Sequence, residues 1–460
     1  MKFGRNLFLP ILLGTVFLNG LIWMAVVPFN HAPDEFSHYS IPEFIVNKGR
    51  YPIFGKDITV VEYQGNRGVS LSTLPPLAYI IQAAAIKIGS VVVKEKNWYL
   101  LARLTSNLAI LVYIYFSWKI VSLLTNNLFF KKATLIFLAF IPGVTFVSSY
   151  VNSDAWALAV STFLIWQMVK IIKGKGERKT SILTGVGTGL VILSRLNAYI
   201  LIPFAGFLII SLKRWQYFLY FLFGSAAVSG WWLWRNLNFF GEILPLTAYT
   251  KIHYSLWPQD LFHRTISQII FQTTWAWTTF RSFWGVFDWN FLYLPEIYYF
   301  ILLILMMASG IGLIRFRKSK TVLLFCLIVL ASVIQSLTSS SYFSFQPQGR
   351  YLYQSLTTVV FLFNLGLINL FNKEILKKLI LVFTAWGMII LNVLSMGLVI
   401  LPKYYSSPII YLSEVAFAKP FLLQKYFLLI YIVGFLIGLT SLVLNFLLEV
   451  LKNDKIVVKI

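Results

Sequence analysis

The chain has 460 residues, 58% of them hydrophobic and 12% charged, with a mean hydropathy of +0.76. No soluble domain of this length is so apolar, so the composition excludes a soluble enzyme and indicates an all-α polytopic membrane protein. The formal net charge of +23 is read as Lys and Arg collected in cytoplasmic loops, and nucleic acid is excluded as a partner because no soluble basic domain is present to bind it.

Lys2 and Arg5 precede a first apolar segment, Leu7–Val27. It is too long for a signal-peptide core and lacks a small-x-small cleavage site, so it reads as an uncleaved first spanning helix. Further spans are expected over Tyr99–Leu124, Ala133–Tyr150, Ala155–Ile172, Ser181–Leu193, Ala198–Leu212, Tyr217–Trp234, Ile297–Ile314, Val322–Leu337, Leu352–Leu370, Leu379–Leu401 and Tyr426–Leu448. That gives about 12 transmembrane helices, with 11 to 13 as the range. The stretch Leu74–Val93 is apolar too, but it starts with Pro75-Pro76 and contains Lys87. If it crossed, the basic loops at Lys131-Lys132, Lys173–Lys179 and Lys213-Arg214 would violate the positive-inside rule. If it lies on the surface, these loops and the later ones at Arg315–Lys320, Lys373–Lys378 and Lys452–Lys459 all fall in the cytoplasm. It is therefore read as a juxtamembrane helix.

The chain then forms one membrane-embedded domain over residues 1–460. Its first outer loop runs over 28–98, and a second outer loop, 235–295, is rich in Trp and Tyr and is expected to hold interfacial helices such as Leu261–Trp277. The lone Cys326 excludes a disulfide or a cysteine metal site. No large soluble C-terminal region is read after the last span.

Acidic residues are scarce, 16 in all, yet two stand together in His31-Ala32-Pro33-Asp34-Glu35-Phe36-Ser37-His38 directly after the first span. Such a pair either caps a surface helix or supplies a general base. His38 lies one helical turn beyond Asp34 and could share its face, with phosphate contact as its functional role. Charge parity puts Asp154, Arg195, Arg235-Asn236 and Gln348-Gly349-Arg350-Tyr351 on the same side of the membrane. Asp154 reads as an N-cap or as a second carboxylate, which with Glu35 would offer oxygen ligands to a divalent metal ion, Mg2+ or Mn2+. Arg103, Arg195 and Arg235 either snorkel or anchor at the interface, or bind phosphate. Arg350, behind a Pro-x-Gly turn and beside Tyr351, favours phosphate. A carboxylate base among arginines next to lipid suits a sugar held on a lipid phosphate. Its cleavage passes through an oxocarbenium-like state, and the leaving phosphate needs cations rather than an acid.

The order of these parts resembles the GT-C glycosyltransferase superfamily, whose members include protein O-mannosyltransferases and lipid A aminoarabinose transferases. Pro33-Asp34-Glu35 is similar to its first-loop acidic motif, and Leu74-Pro75-Pro76-Leu77-Ala78-Tyr79 to its juxtamembrane segment. Arg103-Leu104, Asn152-Ser153-Asp154, Trp234-Arg235-Asn236 with Phe240-Gly241, and Gly349-Arg350-Tyr351-Leu352 follow in the family's order. The likeness covers nearly the whole chain and points to a bacterial branch of membrane proteins. It departs at Leu74, where the family carries a lysine. The resemblance implies a GT-C-like fold, Asp34 as catalytic base, and carrier-phosphate binding by Arg350 and Arg195. The resulting expectation is an inverting glycosyltransferase in a bacterial cytoplasmic membrane. It would take a polyprenyl-phosphate-linked sugar to an envelope glycan, lipid or protein at the outer face. A transporter or lipid-carrier flippase is the alternative; it would call for midplane polar sites, broken helices and repeats, and no repeat is visible.

Overall fold

The computed structural model describes residues 3–450 except 58, 60–61, 64–65, 68–70, 248–249, 251–263, 343–344, 406–415, 417–418 and 421–422, and also residues 455, 456 and 458. The fold is α-helical, with two minimal antiparallel hairpins at Glu62–Arg67 and Val286–Tyr293. Every apolar segment expected from the sequence is helical. The chain begins with α1 (Phe3–Val26), α2 (Glu35–Lys48) and α3 (Leu77–Gly89), followed by α4 (Trp98–Leu124), α5 (Leu128–Ala139), α6 (Pro142–Ser148), α7 (Asp154–Ile172), α8 (Arg178–Ile192), α9 (Leu201–Ser211) and α10 (Trp215–Phe240). After the aromatic loop come α11 (Ile266–Gln272), α12 (Trp275–Gly285), α13 (Glu296–Leu313), α14 (Lys320–Tyr342), α15 (Leu356–Asn369), α16 (Glu374–Leu394), α17 (Leu401–Tyr405) and α18 (Lys425–Val450).

Eight helices among the described residues are long and apolar enough to cross a bilayer, or nine if a bent pair is one span. The expected count of about 12 is thus not reached on length and apolarity. The difference lies in three segments. Helix α8 has 15 residues, α9 has 11, and α10, though 26 residues long, carries polar and interfacial residues along much of its length. The expected span Ala133–Tyr150 is two helices, α5 and α6, bent by 58°. Pro142 opens α6 at its N1 position, where a missing N–H costs nothing, and so restarts the helix in a new direction. Helix α3 has 13 residues, about 20 Å at 1.5 Å per residue, against a hydrocarbon core of about 30 Å. It packs on α2 and α4. The expected interfacial helix Leu261–Trp277 begins outside the described residues; its described part is α11 and the start of α12.

The core runs through α1, α4, α5, α7 and α15, whose residues Leu12, Ile110, Leu135, Ile165 and Phe361 are buried. Buried amides join helices where no water is at hand: Asn19 Nδ2 donates to Asn392 Oδ1 (3.0 Å), and Asn392 Nδ2 to Thr145 Oγ1 (2.7 Å). A Cβ on Gly185 would strike the Phe221 backbone, so this glycine lets α8 and α10 pack backbone to backbone. At one end of α1, Lys132 lies 5.4 Å from the Phe8 ring and pairs with Glu449 (3.2 Å). At the other end the Val27 carbonyl meets Arg103. Nineteen residues of helix separate Phe8 from Val27, about 28 Å, so the acidic motif and the Lys132 cluster lie at opposite ends of the bundle.

Candidate active site

The segment between α1 and α2 turns sharply, with Asn30 (φ 64°) and Asp34 (φ 59°) both left-handed, a conformation Asn and Asp tolerate better than most residues. This turn sends the two adjacent carboxylates to different places. Glu35 points inward and is fully buried. It accepts from Arg103 Nε and Nη2 (both 2.7 Å), from the Asn30 N–H (2.8 Å) and from the Val151 N–H (3.0 Å). Arg103, also buried, donates onward to the carbonyls of Met24 (3.1 Å), Val27 (2.8 Å) and Pro28 (3.1 Å). The pair therefore ties the end of α1, the start of α2, α4 and the loop before α7 into one joint. Neither charge has an open coordination position.

Asp34 faces the other way. Its side chain is 48% exposed and makes no cap to α2. Arg350 Nη2 approaches its Oδ2 to 3.5 Å. Arg350 is the second residue of a seven-residue 3-10 turn, Gly349–Ser355, that leads into α15. Asp154 is buried at the start of α7; it pairs with Arg195 through Oδ1 and lies 3.7 Å from Arg350 Nη1 through Oδ2. The Tyr351 ring sits 5.1 Å from the Arg195 guanidinium and 5.5 Å from that of Arg350, where its π face favours both cations. The structure thus gathers Asp34, Asp154, Arg195, Arg350 and Tyr351 from four distant parts of the chain.

Beside Arg350 opens a small cleft, with about 320 Å³ of empty space when the solvent at its mouth is included, its walls including Pro33, Phe146, Tyr150, Asn290, Gln348 and Tyr353. Two wall residues hold the cation: Arg350 donates through Nη1 to the Tyr150 hydroxyl (2.9 Å) and through Nε to Gln348 Oε1 (2.7 Å). The turn can lie this close only because residue 349 is glycine. A Cβ there would fall on the Phe283 backbone of α12. The Gly349 N–H also donates to Ser282 Oγ of α12 (2.6 Å). A third wall is the hairpin after α12. Its tip holds Asn290 in the left-handed region, and Trp289 Nε1 donates to the Asn30 carbonyl (3.3 Å). Tyr150, Gln348 and Asn290 were not assigned roles from sequence. For Tyr150 the available signal was its place four residues before Asp154.

His38 is buried and shares a 2.8 Å hydrogen bond with the Tyr79 hydroxyl of α3. Burial, and then the charges of Arg195 and Arg350, hold its pKa well below the ordinary value of 6.5. It is therefore neutral and adds no further cation to those of the arginines. Arg235 is not brought to the cluster. It donates to the Pro52 carbonyl (2.7 Å) and is ringed by Tyr51, Trp232, Phe239 and Phe240 at 4.8–5.9 Å, an aromatic cage that fastens α10 to the first loop.

The carboxylates do not fit a resident divalent cation. Each oxygen of Glu35 already accepts from two donors, and Asp154 and Asp34 face guanidiniums. Among the described residues no three His, Cys, Asp or Glu side chains converge. A metal at Glu35 and Asp154 would have to displace an arginine from each.

No curated protein matches the chain in sequence. Among solved structures it is similar to ArnT from Cupriavidus metallidurans bound to undecaprenyl phosphate, at 13% identity and a TM-score of 0.49, covering 95% of this chain and 76% of that one. It is also similar to an oligosaccharyltransferase from Archaeoglobus fulgidus in the apo form, at 11% identity and a TM-score of 0.45, covering 98% of this chain and 56% of that one. At these scores neither likeness carries weight for function. A family match extends over residues 50–359, from the first loop through Arg103, Asp154, Arg195 and Arg350 into α15. The chain belongs to the family described as predicted membrane protein (DUF2142).

Proposed function

We propose that the chain is a GT-C-type inverting glycosyltransferase that moves a sugar from a polyprenyl-phosphate-linked donor to a cell-envelope acceptor. The observation that carries this reading is the meeting of a half-exposed carboxylate, Asp34, with the buried guanidinium of Arg350 at an open cleft. The acceptor hydroxyl attacks the anomeric carbon on the face opposite the phosphate. A new carbon–oxygen bond forms as the bond to the phosphate oxygen breaks, and that electron pair leaves with the polyprenyl phosphate. The hydroxyl proton passes to Asp34 as general base. Charge gathers on the departing phosphate, where Arg350 and Arg195 provide cations held in place by their neighbours. Tyr150 and Gln348 keep the Arg350 fork aimed. Glu35 and Arg103 act only by holding the turn that presents Asp34.

The site is assigned to the extracytoplasmic face of a bacterial cytoplasmic membrane, with both termini in the cytoplasm, because the basic loops collect at the other end. The acceptor is an envelope glycan, lipid or protein. Purified protein would be given undecaprenyl-phosphate-linked sugars and a cell-envelope fraction. Release of undecaprenyl phosphate and the anomeric configuration of the product are then followed. Release with inverted configuration, lost in Arg350→Ala, is the expected outcome. Retained configuration, or full release by well-folded Arg350→Ala, would sink the assignment.

A further inference from the structure

The charges at the site cancel. Asp154 faces both guanidiniums, and Asp34 faces the outer one. An anion arriving at Arg350 therefore meets a cation that is already neutralised. The three arms of Arg350 are not equally committed. Nε is held by Gln348 and Nη1 by Tyr150. Among the described residues Nη2 enters no hydrogen bond, and its acidic neighbour is Asp34 Oδ2 at 3.5 Å. That distance is too long for a charge-assisted hydrogen bond, which closes to about 2.7–2.9 Å. Asp34 is likewise uncommitted: half exposed, capping nothing, and carried on a left-handed turn. Of the two carboxylates that face Arg350, Asp34 is the exposed one and Asp154 the buried one.

The same contact is at odds with the chemistry proposed above. In an inverting displacement the base and the leaving group lie on opposite faces of the sugar. Where two carboxyl groups do this work, they stand about 6.5–9.5 Å apart. At 3.5 Å no sugar ring fits between Asp34 and the arm of Arg350 that would hold the phosphate. The contact must open before transfer.

We propose that the Asp34 carboxylate occupies the anion position of Arg350 Nη2, and that the phosphate ester of the donor displaces it. Anion binding then frees the base at the moment the donor is in place. This inference rests on the glycosyltransferase reading for the identity of the ester, but its test needs no sugar.

Farnesyl phosphate and inorganic phosphate are titrated separately into the full-length protein in detergent. The variants are wild type, Asp34→Asn, Arg350→Gln and the double substitution, each checked for an unchanged melting temperature. Asp34→Asn is expected to bind farnesyl phosphate about two- to fivefold tighter, the worth of a partly exposed ion pair removed as competitor. Arg350→Gln binds more weakly, and the gain from Asp34→Asn vanishes in its background. Should Arg350→Gln fail to fold, Arg350→Lys replaces it, keeping the charge but not the Nη2 arm. A gain with inorganic phosphate as well assigns displacement to the phosphate group alone, and a gain with farnesyl phosphate only assigns it to the lipid-borne ester; either supports the proposal. A gain that persists without Arg350 is simple charge repulsion and overturns it, as does equal or weaker binding by folded Asp34→Asn. Binding by wild type with no gain removes this inference alone. No binding by wild type or Asp34→Asn removes the phosphate site as well.

Discussion

The two carboxylates of the acidic motif are adjacent in sequence and opposite in consequence, and replacing each in turn separates them. Glu35→Ala removes four accepted hydrogen bonds and leaves the Arg103 guanidinium buried without a counter-charge, against backbone carbonyls and the Phe29 and Tyr99 rings. Breaking a buried ion pair from one side costs about 3–5 kcal/mol. Replacing Asp34 by Asn loosens a half-exposed contact at 3.5 Å, worth about 0–1 kcal/mol. Thermal unfolding in detergent should therefore show Glu35→Ala melting lower by on the order of 5 °C, with Asp34→Asn close to wild type. The double replacement of Glu35 and Arg103 by Gln and Met, which leaves no orphan charge, should recover part of the loss. If Glu35→Ala melts like wild type yet loses sugar transfer, Glu35 is chemical rather than structural, and the division of roles drawn here is refuted.

Other positions give further outcomes. Gly349→Ala places a methyl on the Phe283 backbone. It should cost about 1–3 kcal/mol, measurable as a lower melting temperature, together with weaker farnesyl phosphate binding as the Arg350 turn is pushed from α12. His38 is held below its ordinary pKa of 6.5 by burial and then by Arg195 and Arg350, so the unfolded chain takes up a proton there before the folded one does. Its contribution to stability is full above about pH 6.5 and declines as pH falls below it. His38→Gln should flatten the fall in melting temperature between about pH 6.5 and 5; an unchanged slope assigns the acid sensitivity to other groups. A cysteine replacing Lys175, between α7 and α8, should resist a membrane-impermeant maleimide applied to intact cells. Labelling from outside would invert the assigned orientation.

Much of this site was legible in the sequence because membranes make charge expensive. In a chain with 16 acidic residues, Asp34, Asp154, Arg195 and Arg350 stood out, and loop charge parity put them on one side; the structure brings them together. The helical segments were legible for the same reason. What sequence did not supply was direction. Glu35 and Asp34 differ in placement because one left-handed residue rotates the chain between them, and nothing in the pair of letters says which carboxylate turns inward. Arg103 and Arg235 look like Arg350 in sequence, yet one closes on Glu35 and the other on an aromatic cage. The span count is not reached by length and apolarity where Pro142 breaks a continuous apolar run and where α8 to α10 are short or polar. Tyr150 and Gln348 were passed over because neutral polar residues carry no charge signal, although they hold the central cation.

The most direct test of the account separates binding from turnover at Asp34. With the undecaprenyl-phosphate-linked donor that the wild type consumes, Asp34→Asn is expected to bind undecaprenyl phosphate at least as tightly as wild type while losing transfer by about 100-fold or more, the range of a missing general base. Transfer at the wild-type rate by Asp34→Asn would contradict the claim that this carboxylate, at the Arg350 cleft, accepts the proton of the reaction.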